Sequence, residues 1–117
     1  MMAWLGVGLT LLVALLHVGF LVLEMFLWSK PMGRKVFRTS AADAEVQRVL
    51  AGNMGLYNGF LAAGLAWGAI GGRTDVATFF LGCVIVAGVY GAATVSRGIF
   101  FVQALPAILA LVALRLG

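Results

Sequence analysis

Four apolar runs, each close to the thickness of a bilayer, dominate this chain. They extend from about Ala3 to Trp28, Val49 to Ile70, Val76 to Val95 and Gly98 to Leu114. A helix needs ~20 predominantly apolar residues, within a range of about 17–25, to cross the hydrocarbon core. Only 10% of the 117 residues are charged and 63% are hydrophobic, whereas soluble domains carry about 25% charged residues. A water-soluble fold of this composition would leave large apolar patches uncovered. The pattern predicts an all-α protein, a four-transmembrane-helix membrane bundle forming one domain over residues 1–117. The expected spans are about 3–28, 49–70, 76–95 and 98–114, with a basic cytoplasmic loop over 29–48. The fourth run is short and suits little tilt or a thinner bilayer. The opening "MMAWLGVGLTLLVALLHVGF" lacks a positive n-region and a small-x-small cleavage site, so it reads as a retained span rather than a signal peptide.

The connections carry the orientation. Lys30, Arg34, Lys35, Arg38, Arg48 and Arg97 fall in the first and third connections, against Arg73 and Arg115 in the second connection and the C-terminus. Positive residues stay in the cytoplasm. Both termini are therefore expected outside, in the inner (plasma) membrane of a bacterium. The net charge of +4 is thus a topology signal and not a nucleic-acid footprint. Pro31 and Gly33 are expected to end the first helix. Ser40 followed by Asp43 fits a capping pattern that starts the second helix near Ala41. Cys83, the one cysteine, lies in an apolar run and leaves no room for a disulfide framework or a multi-cysteine metal site. Gly55 and Gly59, and Gly64 and Gly68, form GxxxG pairs. In lipid, such pairs let helix backbones approach closely, within one bundle or across a homo-oligomer interface.

Against this background the polar residues stand out. His17 and Glu24 lie in "HVGFLVLEMFLW", seven residues apart and within about 20° of one another around a helix axis. Thr10, Leu21 and Trp28 share their stripe. Ionisable groups inside a span normally face the bundle interior or a wet cavity, because a lone charge at mid-bilayer costs roughly 2.5–3.5 kcal/mol on insertion scales. The second run offers Asn53, Tyr57 and Asn58, the third Tyr90 and Thr94, and the fourth Gln103, with Pro106 beyond it. Arg97 stands at the boundary as a charge partner. Counted at ~1.5 Å per residue from the cytoplasmic ends, these groups crowd the cytoplasmic half. The expected site is a cytoplasm-facing polar pocket. His17 and Glu24 would carry acid–base chemistry, and Trp28, Asn53, Tyr57, Asn58, Tyr90 and Gln103 would contact the ligand. The bland readings are hydrogen-bonded structural groups, interhelical glue and, for Trp4, Trp28 and Trp67, interface belts. No metal site is expected, since two helical turns separate His17 and Glu24 by about 10 Å along the axis. Nothing in the residues names a cofactor.

The stretches "HVGFLVLEMFLW", "KPMGRKVF" and "NMGLYNGFLAAGLAWG" together resemble the small membrane family known as domain of unknown function 1304. The resemblance covers nearly the whole chain. It implies a four-helix integral membrane protein and supplies no substrate. Three functions stay open. The first is binding of a small or lipid-like molecule, with acid–base chemistry at His17 and Glu24. The second is proton-coupled transport, since an acidic residue in the first of four short helices resembles small multidrug transporters. The third is a structural subunit of a membrane complex. Transport is disfavoured by the one-sided distribution of polar groups, because a transporter needs access from both sides.

Overall fold

In the computed structural model, backbone is described for residues 2–117 and side chains from Trp4 onward. The described residues form five α-helices and no strand: α1 (Met2–Met25), α2 (Pro31–Phe37), α3 (Ala41–Ile70), α4 (Thr74–Thr94) and α5 (Leu105–Leu116). A π-helical turn, Phe100–Ala104, leads into α5. Two of these helices, over Trp4–Met25 and Thr74–Thr94, are long and apolar enough to cross a membrane. The apolar helix Phe100–Leu116 is shorter. Helix α3 has 30 residues, but Asn53, Tyr57, Asn58 and its glycines dilute the apolarity that its length would otherwise offer. Of the four expected spans, two thus coincide with helices that have the length and apolarity to cross a membrane.

The chain divides into two compact units, Leu16–Phe60 and Met1–Leu15 with Leu61–Gly117. In the second of these, four helices converge on one core of Val13, Ala14, Leu65, Leu81, Val84, Ala107 and Ala110. Backbones meet closely there because small residues line the seams. Ala104, Ala107, Ala110 and Ala113 are all buried, at every third position leading into and along α5. A Cβ on Gly88 of α4 would lie 2.6 Å from the Ala104 nitrogen, and one on Gly6 would lie 2.8 Å from the Leu114 nitrogen. Thr10, buried on α1, donates its hydroxyl to the Gly6 carbonyl at 2.8 Å, so its polar atom is satisfied within its own helix. The tight turn between α3 and α4 uses Gly72 at φ 64°. A Cβ on Gly68 would lie 2.5 Å from the Ala77 nitrogen. Arg73 forks onto Asp75 at 3.0 and 2.9 Å, a pairing that raises the guanidinium further above its ordinary value.

Pro106 explains the π turn. It has no N–H to give, and its ring would strike the carbonyl four residues back, at Val102. The helix widens just before it, and the Leu105 N–H reaches back to the Phe100 carbonyl. The fourth helix thus passes through a π turn rather than running as a uniform α-helix from Gly98.

In the unit Leu16–Phe60 the first connection is folded rather than open. Lys30, which precedes Pro31, sits at φ −81° and ψ 160°, the extended conformation that a following proline favours. Helix α1 stops at Met25, short of the expected Trp28, and residues 26–30 continue in turns and bends. Pro31 and Gly33 were expected to end the first helix. Instead they belong to α2, with Pro31 in its first turn, where a missing N–H costs nothing. Helix α3 starts at Ala41, and the Asp43 N–H donates to Ser40 Oγ at 3.0 Å, as the capping pattern anticipates.

Candidate functional site: a buried carboxyl between α1 and α3

The buried side of α1 runs through Gly6, Thr10, Val13, Ala14, His17 and Glu24, with steps of three, four and, from His17 to Glu24, seven residues that follow one helical face. His17 is 0% exposed and Glu24 only 6%. The His17 ring meets the edge of Phe20 at a centroid distance of 5.0 Å. Glu24 Oε1 accepts a hydrogen bond from Asn58 Nδ2 of α3.

What lets Asn58 reach Glu24 is the glycine pair beside it. A Cβ on Gly55 would lie 2.5 Å from Met25 Cγ and 3.2 Å from both Glu24 Cβ and the Leu21 carbonyl oxygen. One on Gly59 would lie 2.7 Å from Leu21 Cδ1. Gly55 and Gly59 therefore form the groove that seats Leu21–Met25, the within-bundle use of a GxxxG pair. At 100° per residue, Asn58 lies about 60° around α3 from Gly55, whereas Asn53 and Tyr57 lie about 160° away. The exposures follow this geometry. Asn58 is half-buried, Asn53 is exposed, and Tyr57 is 62% exposed with its ring 6.0 Å from that of Phe60. The direction of the glycine face was the signal in the sequence that separates Asn58 from its two neighbours.

Trp28 is held one turn of chain below Glu24. Its Nε1 donates to the Ala44 carbonyl at 2.9 Å, and its ring lies 4.9 Å from that of Phe37. A half-open depression of about 100 Å³ lies beside it, lined by Trp28, Gln47, Leu50, Ala51 and Met54. Small-molecule pockets typically hold about 300–1,000 Å³, so this depression takes a chain or a small group rather than a whole ligand. Gln47 and Met54 were not among the expected ligand contacts, since neither stands out as a polar residue inside an apolar run.

The remaining expected residues belong to the other unit. Tyr90 is 70% exposed, and its carbonyl accepts the Thr94 hydroxyl at 2.7 Å. Gln103 is half-buried within the π turn. Arg97 is exposed in the connection between α4 and the π turn. Among the described residues, no three His, Cys, Asp or Glu side chains converge as a metal site would require.

The geometry thus provides a carboxyl and an amide facing one another inside a helix pair, with a fully buried imidazole two turns away on the same face. A carboxyl so placed can exchange a proton or hold a hydrogen-bond donor of a ligand. No curated protein and no solved structure matches the chain. The profile of the family described as "Protein of unknown function (DUF1304)" matches residues 11–115, nearly the whole length, and the chain belongs to that family.

Proposed function

We propose that this protein is an integral membrane protein of four spans that binds a small or lipid-like molecule at a cytoplasm-facing polar site centred on Glu24. In this reading Glu24 accepts or gives the proton of the bound molecule and Asn58 orients the carboxyl. His17 is the second proton-carrying group. Trp28 borders the entry. The observation that carries the proposal is the Glu24–Asn58 hydrogen bond. A carboxyl buried in an otherwise apolar helix, answered by a neutral amide, is an expensive arrangement in lipid. It also leaves a carboxylate oxygen for a ligand.

The close packing at Gly55 and Gly59 and the small depression beside Trp28 favour a second reading. There the same hydrogen bond only fixes the register of α1 on α3 in a subunit of a membrane complex. Native mass spectrometry in mild detergent separates the two, with wild type run beside Glu24→Gln and His17→Ala. Binding predicts a reproducible co-purifying small molecule in the wild type that is lost in folded variants. A wild type that carries no molecule but retains a partner protein, with Glu24→Gln keeping that partner, overturns binding in favour of the structural reading.

A further inference from the structure

The segment between α1 and α3 carries chemistry that the Glu24 site does not use. Residues 26–42 contain Lys30, Arg34, Lys35 and Arg38 and no Asp or Glu. The ion pairs among the described residues are Arg48–Glu45 and Arg73–Asp75, so none of these four cations is paired. Helix α2 turns Gly33 and Phe37 towards the protein. Gly33 is buried against the Leu27 carbonyl, leaving no room for a Cβ, and Phe37 lies on Trp28. Met32 and Val36, one turn apart, point outward at 61% and 53% exposure, with Lys35 exposed beside them. Arg34 is half-buried, and its Nε is buried without an acceptor. Arg38 closes the helix at φ 53°, a left-handed conformation that a glycine would hold at lower cost.

We propose that α2 and its flanks bind the phosphate of anionic phospholipid headgroups, with Arg34 as the central ligand and Lys30, Lys35 and Arg38 around it. Met32 and Val36 enter the interface between headgroup and acyl chain. The occupant is a lipid rather than an acidic protein because of where the cations sit. They follow directly on the end of a helix long and apolar enough to cross a membrane, and an outward apolar pair lies among them. A guanidinium forks onto phosphate oxygens, and basic segments beside a span are drawn to anionic leaflets. The inference rests on the integral-membrane reading and is independent of the Glu24 site.

The test uses the full chain in a neutral maltoside detergent. It is titrated with short-chain phosphatidylglycerol or phosphatidylcholine, and bound lipid is read by native mass spectrometry. Phosphatidylglycerol is expected to bind at least about tenfold more tightly, with the preference falling as salt screens the charges. Each neutralised cation should weaken binding about fivefold, so Arg34→Gln with Lys35→Gln loses on the order of 20-fold. Arg34→Lys with Lys35→Arg keeps most of the affinity, and Arg48→Gln leaves it unchanged. Should Arg34→Gln fail to fold, Lys30→Gln with Lys35→Gln carries the same expectation from exposed positions. Equal binding of the two lipids, or an equal loss in Arg48→Gln, overturns the proposal. So does full displacement of phosphatidylglycerol by inorganic phosphate at equal concentration, which would make this a free-phosphate site.

Discussion

Glu24 has one amide between it and an unanswered burial. Removing the donor in Asn58→Ala leaves the carboxyl without its partner while keeping Glu24 in place. Hydrogen bonds inside membrane proteins average about 0.6 kcal/mol and reach about 1.7, and stranding a buried acceptor adds to that. Asn58→Ala should therefore destabilise the protein by roughly 1–2 kcal/mol in a detergent unfolding titration. In a Glu24→Leu background the same substitution should cost less, because no carboxyl remains to be stranded. Equal costs in both backgrounds would mean that the hydrogen bond contributes nothing. At this scale His17 and Glu24 were legible at once as polar interruptions of an apolar run. Choosing Asn58 over Asn53 required knowing which face of α3 meets α1. Only the Gly55–Gly59 pair holds that information, and it becomes readable once one accepts that close backbone approach sets the face.

The helices show where small residues are used and where they are idle. Gly88 and Gly82 lie in the same helix, α4. A Cβ on Gly88 would press on the backbone of Ala104, at 2.6 Å from its nitrogen, whereas one on Gly82 would meet nothing within 4 Å. Gly88→Ala should cost about 1–3 kcal/mol, since backbone cannot swing aside as a flexible side chain can. Gly82→Ala should be neutral or stabilising by up to ~1 kcal/mol through helix propensity. Thermal unfolding of the two variants side by side checks the pair, and equal effects would show that the α4–π-turn contact is not tight. The start of α3 at Ala41 was legible because a cap is a local event, written in Ser40 and Asp43. Helix α2 was not. Its stability as a seven-residue helix comes from Gly33 under the Leu27 carbonyl and from Phe37 on Trp28, contacts that no local pattern announces. The π turn lies between these cases. Pro106 signalled a disturbance, but the widened ladder that absorbs it depends on Ala104 packing against Gly88.

For the whole molecule, the number of helices that cross decides on which side the basic segment lies. Helices α1 and α4 satisfy length and apolarity together, while α3 is long but diluted by its polar and glycine residues. At ~1.5 Å per residue, the 30 residues of α3 extend about 45 Å, as long as a bilayer with its headgroups. Of its asparagines, Asn58 costs less than it would in bare lipid, since Glu24 accepts its hydrogen bond. The four-span reading therefore requires the α2 segment and the α3–α4 turn to lie on opposite sides of the membrane. Were α3 not to cross, both would lie on the same side. Replacing Cys83, the single cysteine, by Ala gives a background for one reporter at a time, Lys35→Cys or Thr74→Cys, each at an exposed position. In intact cells a membrane-impermeant maleimide should label the Thr74→Cys protein and spare the Lys35→Cys protein until the membrane is permeabilised. That pattern places the basic segment in the cytoplasm, as its charge demands. Labelling of both, or of neither, before permeabilisation removes α3 from the set of spans. The carboxyl–amide pair would then lie at a membrane surface, where a buried Glu24 no longer implies a site within the bilayer.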